Sequence, residues 1–294
     1  MSALLVTATL VAGSGCSLKK MAVKSVAGAL SETGDVFTRD SDPELVEGAS
    51  MFALKLYEVL LDTLPKDVPL LTATCGGFTQ FGYAFVQNDA EILEFEDHEK
   101  AEAEKERAVK LYLRAKDYCF RALELRFPGI AQKILEEPTV ALTQAKKEDV
   151  PLLYWTAASW GLAIGLRTEL AIDLPSVRAL AERALALDEP WNKGAIHEIL
   201  ISLESQGEVL GGLEARAREH FKRAVEIQKG LSPGPYVSLA GLSVTKQDRA
   251  EFEKLMTQAL AIDPEKDTSN RLVIIVGQRR ARAMLANIDK LFAK

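Results

Sequence analysis

The residues that could perform catalysis or bind a metal are few in this chain. Its three histidines are His98, His197 and His220, and none falls at a catalytic spacing. Glu198 follows His197, but no second histidine stands where a zinc-binding helix would present it on the same face. The sequence also lacks a glycine-rich phosphate loop. We therefore predict a protein that is not an enzyme and that uses neither a metal ion nor a cofactor.

Two cysteines, Cys75 and Cys119, lie in apolar helical patterns. No Cys-x-x-Cys pair or mixed Cys/His spacing connects them to a metal site. They could be buried free thiols or the two halves of a disulfide. Because a buried free cysteine behaves as a small hydrophobic side chain, we predict free thiols.

The third cysteine, Cys16, follows an uncharged apolar segment. Residues 3–12 have the length of a signal-peptide core and are too short to span a membrane. Small residues directly before Cys16 resemble a bacterial lipobox, in which the cysteine is acylated and becomes the mature N-terminus. We predict a signal peptide over residues 1–15 and lipid attachment at Cys16, with an ordinary cleaved signal or a buried first helix as the alternatives. Ser17 resembles an outer-membrane sorting signal, so the expected location is the periplasmic leaflet of the outer membrane.

The composition describes a large helical protein. The chain has 294 residues, of which 48% are apolar and 27% charged, enough for a sizeable core. Its formal net charge of −6 argues against nucleic-acid binding, which needs a basic face. Residues 88–107 interleave acidic and basic side chains, a pattern typical of a solvated helix face rather than of an acid–base site.

One helical register recurs four times. Ala122, Ala184, Ala224 and Ala259 each stand three residues after a small or apolar residue and seven after another. Ala224 and Ala259 lie 35 residues apart, close to the tetratricopeptide period of about 34. We interpret these alanines as crossing points in helix pairs. A generic helical bundle with alanine-rich interfaces is the alternative.

Two predicted helices, at 68–86 and 152–166, carry no charge. A helix without a polar face must be buried on all sides. Both mix large aromatic residues with very small ones, and a ligand site is typically apolar with a few orienting polar groups. A plain core fits the same composition equally well. On the functional interpretation a ligand channel is lined by Tyr83, Phe85, Tyr154, Trp155, Ser159 and Trp160.

The chain resembles the T-component lipoproteins associated with TRAP transporters. The resemblance covers most of residues 16–294 and rests on Cys16, on Phe78–Val86 together with Tyr154–Gly161, on the late repeats and on Gln278–Arg282. It implies an all-α fold, one compact solenoid of degenerate tetratricopeptide-like helix pairs. It also implies binding to a periplasmic solute-binding protein, transfer of a hydrophobic ligand through an internal channel, and a homo-oligomer, which we expect to be a trimer.

These inferences divide the chain into three parts. Residues 1–15 are the signal peptide, residues 16–42 the lipidated N-terminus with a linker and a short helix, and residues 43–294 the repeat domain. The predicted protein is a periplasmic lipoprotein accessory to a TRAP-type system, contacting the membrane through its lipid anchor. The alternative is a cell-envelope scaffold lipoprotein that binds proteins through its repeats but no small molecule.

Overall fold

The structure, a computed structural model, describes residues 15–32 and 34–292. Apart from Gly15, the predicted signal peptide lies outside these residues. No strand occurs in the described part, which confirms the all-α prediction. The helices are α1 (Gly15–Glu32), α2 (Gly34–Thr38), α3 (Pro43–Thr63), α4 (Val68–Phe81), α5 (Asn88–Leu93), α6 (His98–Arg126), α7 (Ile130–Glu136), α8 (Pro138–Ala141), α9 (Val150–Leu166), α10 (Leu174–Leu187), α11 (Ala195–Glu204), α12 (Glu214–Ile227), α13 (Gly234–Thr245), α14 (Arg249–Leu260), α15 (Arg271–Ala286) and α16 (Ile288–Leu291).

Aspartate side chains start several of these helices. Asp42, Asp67 and Asp97 each accept a hydrogen bond from the backbone N–H three residues on, at 3.0, 3.0 and 3.2 Å. Such a cap satisfies one of the backbone donors that a helix N-terminus leaves without a partner. Asp97 also explains why the charged segment at 88–107 is not one helix, because its cap starts α6 after a break that follows α5.

The repeated alanines lie where helices meet. All four are fully buried, and so are Ala115, Val177, Ala217 and Phe252 seven residues before them. The packed pairs include α6 with α9, α9 with α10, α11 with α12 and α13 with α14. A small residue lets two helix axes approach closely, which is why the same register recurs at each crossing.

Helix α15 returns to the start of the array. It packs against α2, α3 and α5 as well as against α13 and α14. Arg279 pairs with Glu44 of α3 at 2.5 Å, and the Asn88 side chain lies 3.5 Å from the carbonyl oxygen of Val276. Two hydrophobic cores result, and α11 and α15 contribute buried residues to both. The solenoid is therefore closed by contacts between its last long helix and its first ones.

The prediction of free thiols is wrong. Cys75 of α4 and Cys119 of α6 form a disulfide, with their Cα atoms 5.5 Å apart. Both side chains are fully buried, as their apolar surroundings predict. Sequence pattern gives burial but not distance, and only the packing of α4 on α6 brings the two Cα atoms into the range that a disulfide requires.

The N-terminal segment is largely helical. Cys16 stands in the first turn of α1, and Ala27 further along that helix is buried in the first core. Residues 16–42, where the sequence predicts a linker passing into a short helix, therefore contain α1 and α2. None of the described helices combines the length and the apolar composition needed to cross a bilayer.

Candidate functional site

The structure separates the six predicted channel residues into two groups. Tyr83, Tyr154 and Trp155 keep part of their surface accessible, and the Tyr83 side chain is 38% exposed. Phe85, Ser159 and Trp160 are buried, the last two at 0% and 1% exposure. The Trp160 ring meets Phe120 edge to face at 5.2 Å, and the Ser159 hydroxyl donates to the Thr156 carbonyl at 3.2 Å. The second group is therefore part of the core.

Tyr83 lies in a π-helical turn, Gly82–Gln87, that follows α4. Such turns are rare and occur frequently at functional sites. Gly82 is required there, because a Cβ atom at this position would lie 2.9 Å from the ring of Tyr112. The Tyr83 hydroxyl accepts a hydrogen bond from Nη1 of Arg280 at 2.9 Å. The turn thus holds Tyr83 against α15.

Arg280 is the centre of a polar network between α15, α5 and α6. Its Nη2 pairs with Glu91 at 2.6 Å, and Glu91 also accepts from Gln87 at 2.7 Å. Gln87 in turn accepts from the Tyr112 hydroxyl at 2.6 Å. Burial disfavours the charge of Arg280, but Glu91 and Tyr83 outweigh it and raise the pKa of the guanidinium. A buried charge is tolerated when it is paired and hydrogen-bonded in this way.

Tyr154 and Trp155 form an aromatic cluster with Trp191, which the sequence analysis did not select. The ring centroid of Tyr154 lies 4.8 Å from that of Trp155 and 4.6 Å from that of Trp191. The two indoles are 6.5 Å apart and nearly perpendicular. A Cβ atom on Gly76 would lie 2.9 Å from the Trp155 indole, so this glycine makes room for the ring.

A left-handed turn positions Trp191. Asn192, Lys193 and Gly194 have φ values of 46°, 56° and 77°. A non-glycine residue in this region costs roughly 1–2 kcal/mol, and such strain is concentrated at functional sites. The Lys193 ammonium contacts Asp267 at 2.6 Å and Ser269 at 2.8 Å, and these contacts help to hold the turn in its strained backbone conformation. Sequence alone offered one signal for this position, a tryptophan between Pro190 and a polar, glycine-containing turn.

Glu198 of α11 approaches the same region. One carboxylate oxygen, Oε1, accepts from the Gln228 amide at 2.7 Å. The carboxylate also lies against Gly234 at the N-terminus of α13, where a Cβ atom would collide with it. Burial raises the pKa of Glu198 to about 7, and the hydrogen bond from Gln228 opposes this only in part. Burial is also the main cause of the raised pKa of Tyr154 and of Tyr83, with Glu198 contributing to both.

The titratable groups described above keep some accessible surface, and yet Tyr83, Tyr154 and Glu198 are strongly desolvated. Water can reach part of each side chain, while the surrounding helices provide most of its environment. That combination is typical of the inner wall of a cleft or cavity rather than of an outer surface. We refer to the set as the interior cluster, which consists of Tyr83, Tyr154, Trp155, Trp191, Glu198 and Arg280.

Two histidines that the sequence places apart come together elsewhere. The Nδ1 atoms of His197 and His220 are 3.0 Å apart, and Nε2 of His197 lies 3.4 Å from Glu189. Burial lowers the pKa of both imidazoles. The pair lies at the junction of α11 with α12, and its short Nδ1 to Nδ1 distance fits one shared proton between two neutral rings.

One group of side chains in the described part has metal-ligand geometry. Glu94, His98 and Glu102 bring ligand atoms within 4.8 Å of one another. The Lys105 ammonium contacts Glu94 at 2.6 Å and Glu102 at 2.8 Å. Since the Lys105 ammonium already contacts both carboxylates, we describe the group as an ion-pair cluster.

One catalytic pattern in the sequence remains to be placed in the structure. Residues 230–234 have the Gly-x-Ser-x-Gly order of a hydrolase nucleophile elbow. In that motif the serine follows a strand, whereas Ser232 follows α12, and its hydroxyl accepts from the backbone N–H of Gly234 at 3.3 Å. The context that the motif requires is therefore missing at Ser232.

Comparisons with known proteins match nearly the whole chain. A family model described as TRAP transporter T-component matches residues 39–292. The chain is 30% identical to an uncharacterized protein of Treponema pallidum (strain Nichols), over 95% of this chain and 93% of that protein. The family match includes every member of the interior cluster.

Proposed function

The chain belongs to the TRAP transporter T-component family, and we propose that it binds the solute-binding subunit of its system and passes an apolar ligand through an internal channel. An accessory role in TRAP transport follows from the family itself. The channel and the partner are inferences from the described residues, and each depends on a different surface.

The observation that carries the ligand path is the interior cluster. Aromatic side chains with a few orienting polar groups are the usual lining of a small-molecule site. Here Tyr83, Tyr154 and Trp155 are partly accessible inside a helix array that α15 closes. We assign the path to these three residues together with Trp191. Phe85, Ser159 and Trp160 support it from the core.

A second surface supports binding of another protein. Leu45, Phe52 and Val59 are 62%, 73% and 62% exposed along α3. They are seven residues apart, so they lie on one helical face. An exposed apolar face of this kind is typical of an interaction site. We propose that it binds the solute-binding subunit. A second copy of this chain, as in the expected trimer, is the competing occupant.

The proposed location is the periplasm, with a lipid anchor at Cys16. The lipobox-like residues before this cysteine support it. The disulfide between Cys75 and Cys119 is a further argument, because disulfides persist in oxidising compartments such as the bacterial periplasm. Replacing Cys16 by Ser should move the protein from the membrane fraction to the soluble one. Unchanged partition into detergent would contradict the lipid anchor.

Native mass spectrometry of the protein purified from its host tests the channel. We expect a bound apolar molecule, released by organic extraction, and its loss in the double variant Tyr154→Ala/Trp155→Ala. Ile172→Ala, at an 87% exposed position, is the matched control and should keep the ligand. If solute-binding protein is captured but no small molecule is ever found, the scaffold alternative is correct.

Phe52→Asp tests the partner surface. The variant should no longer capture the solute-binding subunit while keeping its melting temperature, since Phe52 is 73% exposed. Light scattering separates the two occupants of the surface. A change of the native mass in the isolated variant would identify this face as the contact between copies of the chain.

A further inference from the structure

We propose that the interior cluster selects organic cations, and that it holds an ammonium group on an apolar body between the Glu198 carboxylate and the rings of Tyr154, Trp155 and Trp191. This proposal rests on the ligand path proposed above and specifies the class of molecule that enters it.

Glu198 has no counterion among the residues that the structure describes. No lysine, arginine or histidine in the described part forms a salt bridge with it, and its only hydrogen bond is the one from Gln228 to Oε1. The second oxygen, Oε2, accepts no hydrogen bond from the described residues and packs beside Gly234, and the Glu198 side chain keeps part of its surface accessible. Arg280, the cation of the cluster, is already committed to Glu91 and Tyr83.

The fold nevertheless provides for the charged form of Glu198. Its carboxylate lies against the N-terminus of α13, and Gly234 permits this approach. A helix N-terminus favours a nearby anion. The Glu198 carboxylate is thus desolvated and held in place by the Gln228 amide and the end of α13, but it is not neutralised. Such a carboxylate is suited to bind a positively charged ligand.

The aromatic residues supply the rest of a cation site. A cation within about 6 Å of a ring centroid is attracted to the ring face, most strongly for tryptophan. The rings of Tyr154, Trp155 and Trp191 stand at 52–84° to one another, so their faces point in different directions. The Tyr154 hydroxyl forms no hydrogen bond within the described part and is not enclosed. The left-handed turn at Asn192–Gly194 follows Trp191 directly.

Other ligand charges fit this environment less well. An anion would add a second negative charge beside Glu198 in a desolvated region, and like charges at close range repel strongly there. A neutral ligand would leave the carboxylate without a counterion. An organic cation is the class of ligand that would both neutralise the Glu198 carboxylate and bind to the faces of the aromatic rings.

The charge state of Glu198 makes the binding depend on pH. The titratable groups that face it are Tyr83 on the π-helical turn and Tyr154 on α9, and burial raises the pKa of both above their usual range. The Arg280–Glu91 pair lies behind Tyr83. With the pKa of Glu198 at about 7, its ionised fraction rises about tenfold between pH 6 and pH 8. The affinity for a cation should rise by the same factor.

Calorimetry with matched probes tests the proposal. Benzyltrimethylammonium has an uncharged isostere, neopentylbenzene, and phenylacetate serves as the anionic probe. At pH 8 we expect the cation to bind at least tenfold more tightly than the isostere, and phenylacetate not to bind. Glu198→Gln should abolish the preference and leave the isostere unaffected. Glu219→Gln, at an exposed position on α12, is the control and should behave as the parent.

Each other outcome contradicts a defined part of the argument. If cation and isostere bind equally well, the charge selectivity is wrong and the apolar path stands. If none of the probes binds the parent protein, the path itself is wrong. Should Glu198→Gln fail to fold, as judged by circular dichroism, the parent protein still provides the test, because cation binding that does not tighten between pH 6 and pH 8 overturns the role of Glu198.

Discussion

The two halves of α9 have similar sequences but different surroundings. Tyr154 and Trp155 stand in its N-terminal half, contact Trp191 and keep access to solvent. Ser159 and Trp160 stand one turn later and are buried, Ser159 beside Cys75 of α4 and Trp160 against Phe120 of α6. Aromatic and small residues in an uncharged helix therefore fit a wall and a core equally well. The two halves differ in the segments that pack against them. Tyr154 and Trp155, which we call the wall, contact Trp191 at the strained turn, whereas Ser159 and Trp160 belong to the core and pack against helices.

The largest expected difference between the two halves of α9 comes from replacing Trp160 or Trp155 by alanine. Trp160→Ala should cost about 3–5 kcal/mol, because it empties a fully enclosed site. Trp155→Ala should cost less than half of that, because its indole is only partly buried and water can replace it. Urea denaturation gives both values. Equal losses would mean that Trp155 belongs to the core.

Removing the disulfide should cause the next largest loss of stability. The disulfide ties α4 to α6, whereas α9 contains no cysteine. Replacing Cys75 and Cys119 together by Ser should cost about 2–4 kcal/mol, since the bridge closes a loop of 44 residues in the unfolded chain. The parent protein should lose the same stability in reductant, and the double variant should be insensitive to it. A parent protein that reductant leaves unchanged would argue against the bridge.

The substitution Ser159→Trp tests whether Ser159 belongs to the core or lines the ligand path. The hydroxyl position has no accessible surface, so an indole there must displace its neighbours at a cost of about 1–3 kcal/mol. Probe binding at the interior cluster should change little. Strongly weakened binding with an unchanged melting temperature would return Ser159 to the channel lining, where the sequence analysis placed it.

The sequence predicted the parts of this molecule that depend on local periodicity. The helical class and the burial of the repeated alanines both follow from short-range patterns. The disulfide, Trp191 and the Glu198 environment do not, because each is created by segments that are far apart in the chain. Glu198 contacts Gln228 and Gly234 only through the packing of α11 on α12 and α13. Distances between helices, rather than residue types, decide such sites.

The smallest effect concerns the turn that holds Trp191. Gly194→Ala forces a side chain into the left-handed region at φ 77°, with its Cβ atom 3.1–3.4 Å from Ile227. We expect a loss of about 1–2 kcal/mol from the backbone conformation. We also expect weaker probe binding, because Trp191 shifts away from Tyr154 and Trp155.

Gly165→Ala is the matched control, since Gly165 lies in α9 with open space around its Cα atom. An alanine should stabilise the helix there by about 0.5–1 kcal/mol and leave binding intact. The pair of variants separates the strain of the turn from the general effect of replacing a glycine. If both variants bind the probe like the parent while Gly194→Ala is less stable, the turn serves the fold alone. Trp191 would then not be part of the ligand site, which would include Tyr154 and Trp155 only on this side. If only Gly194→Ala loses binding, the strained loop is what distinguishes the two halves of α9.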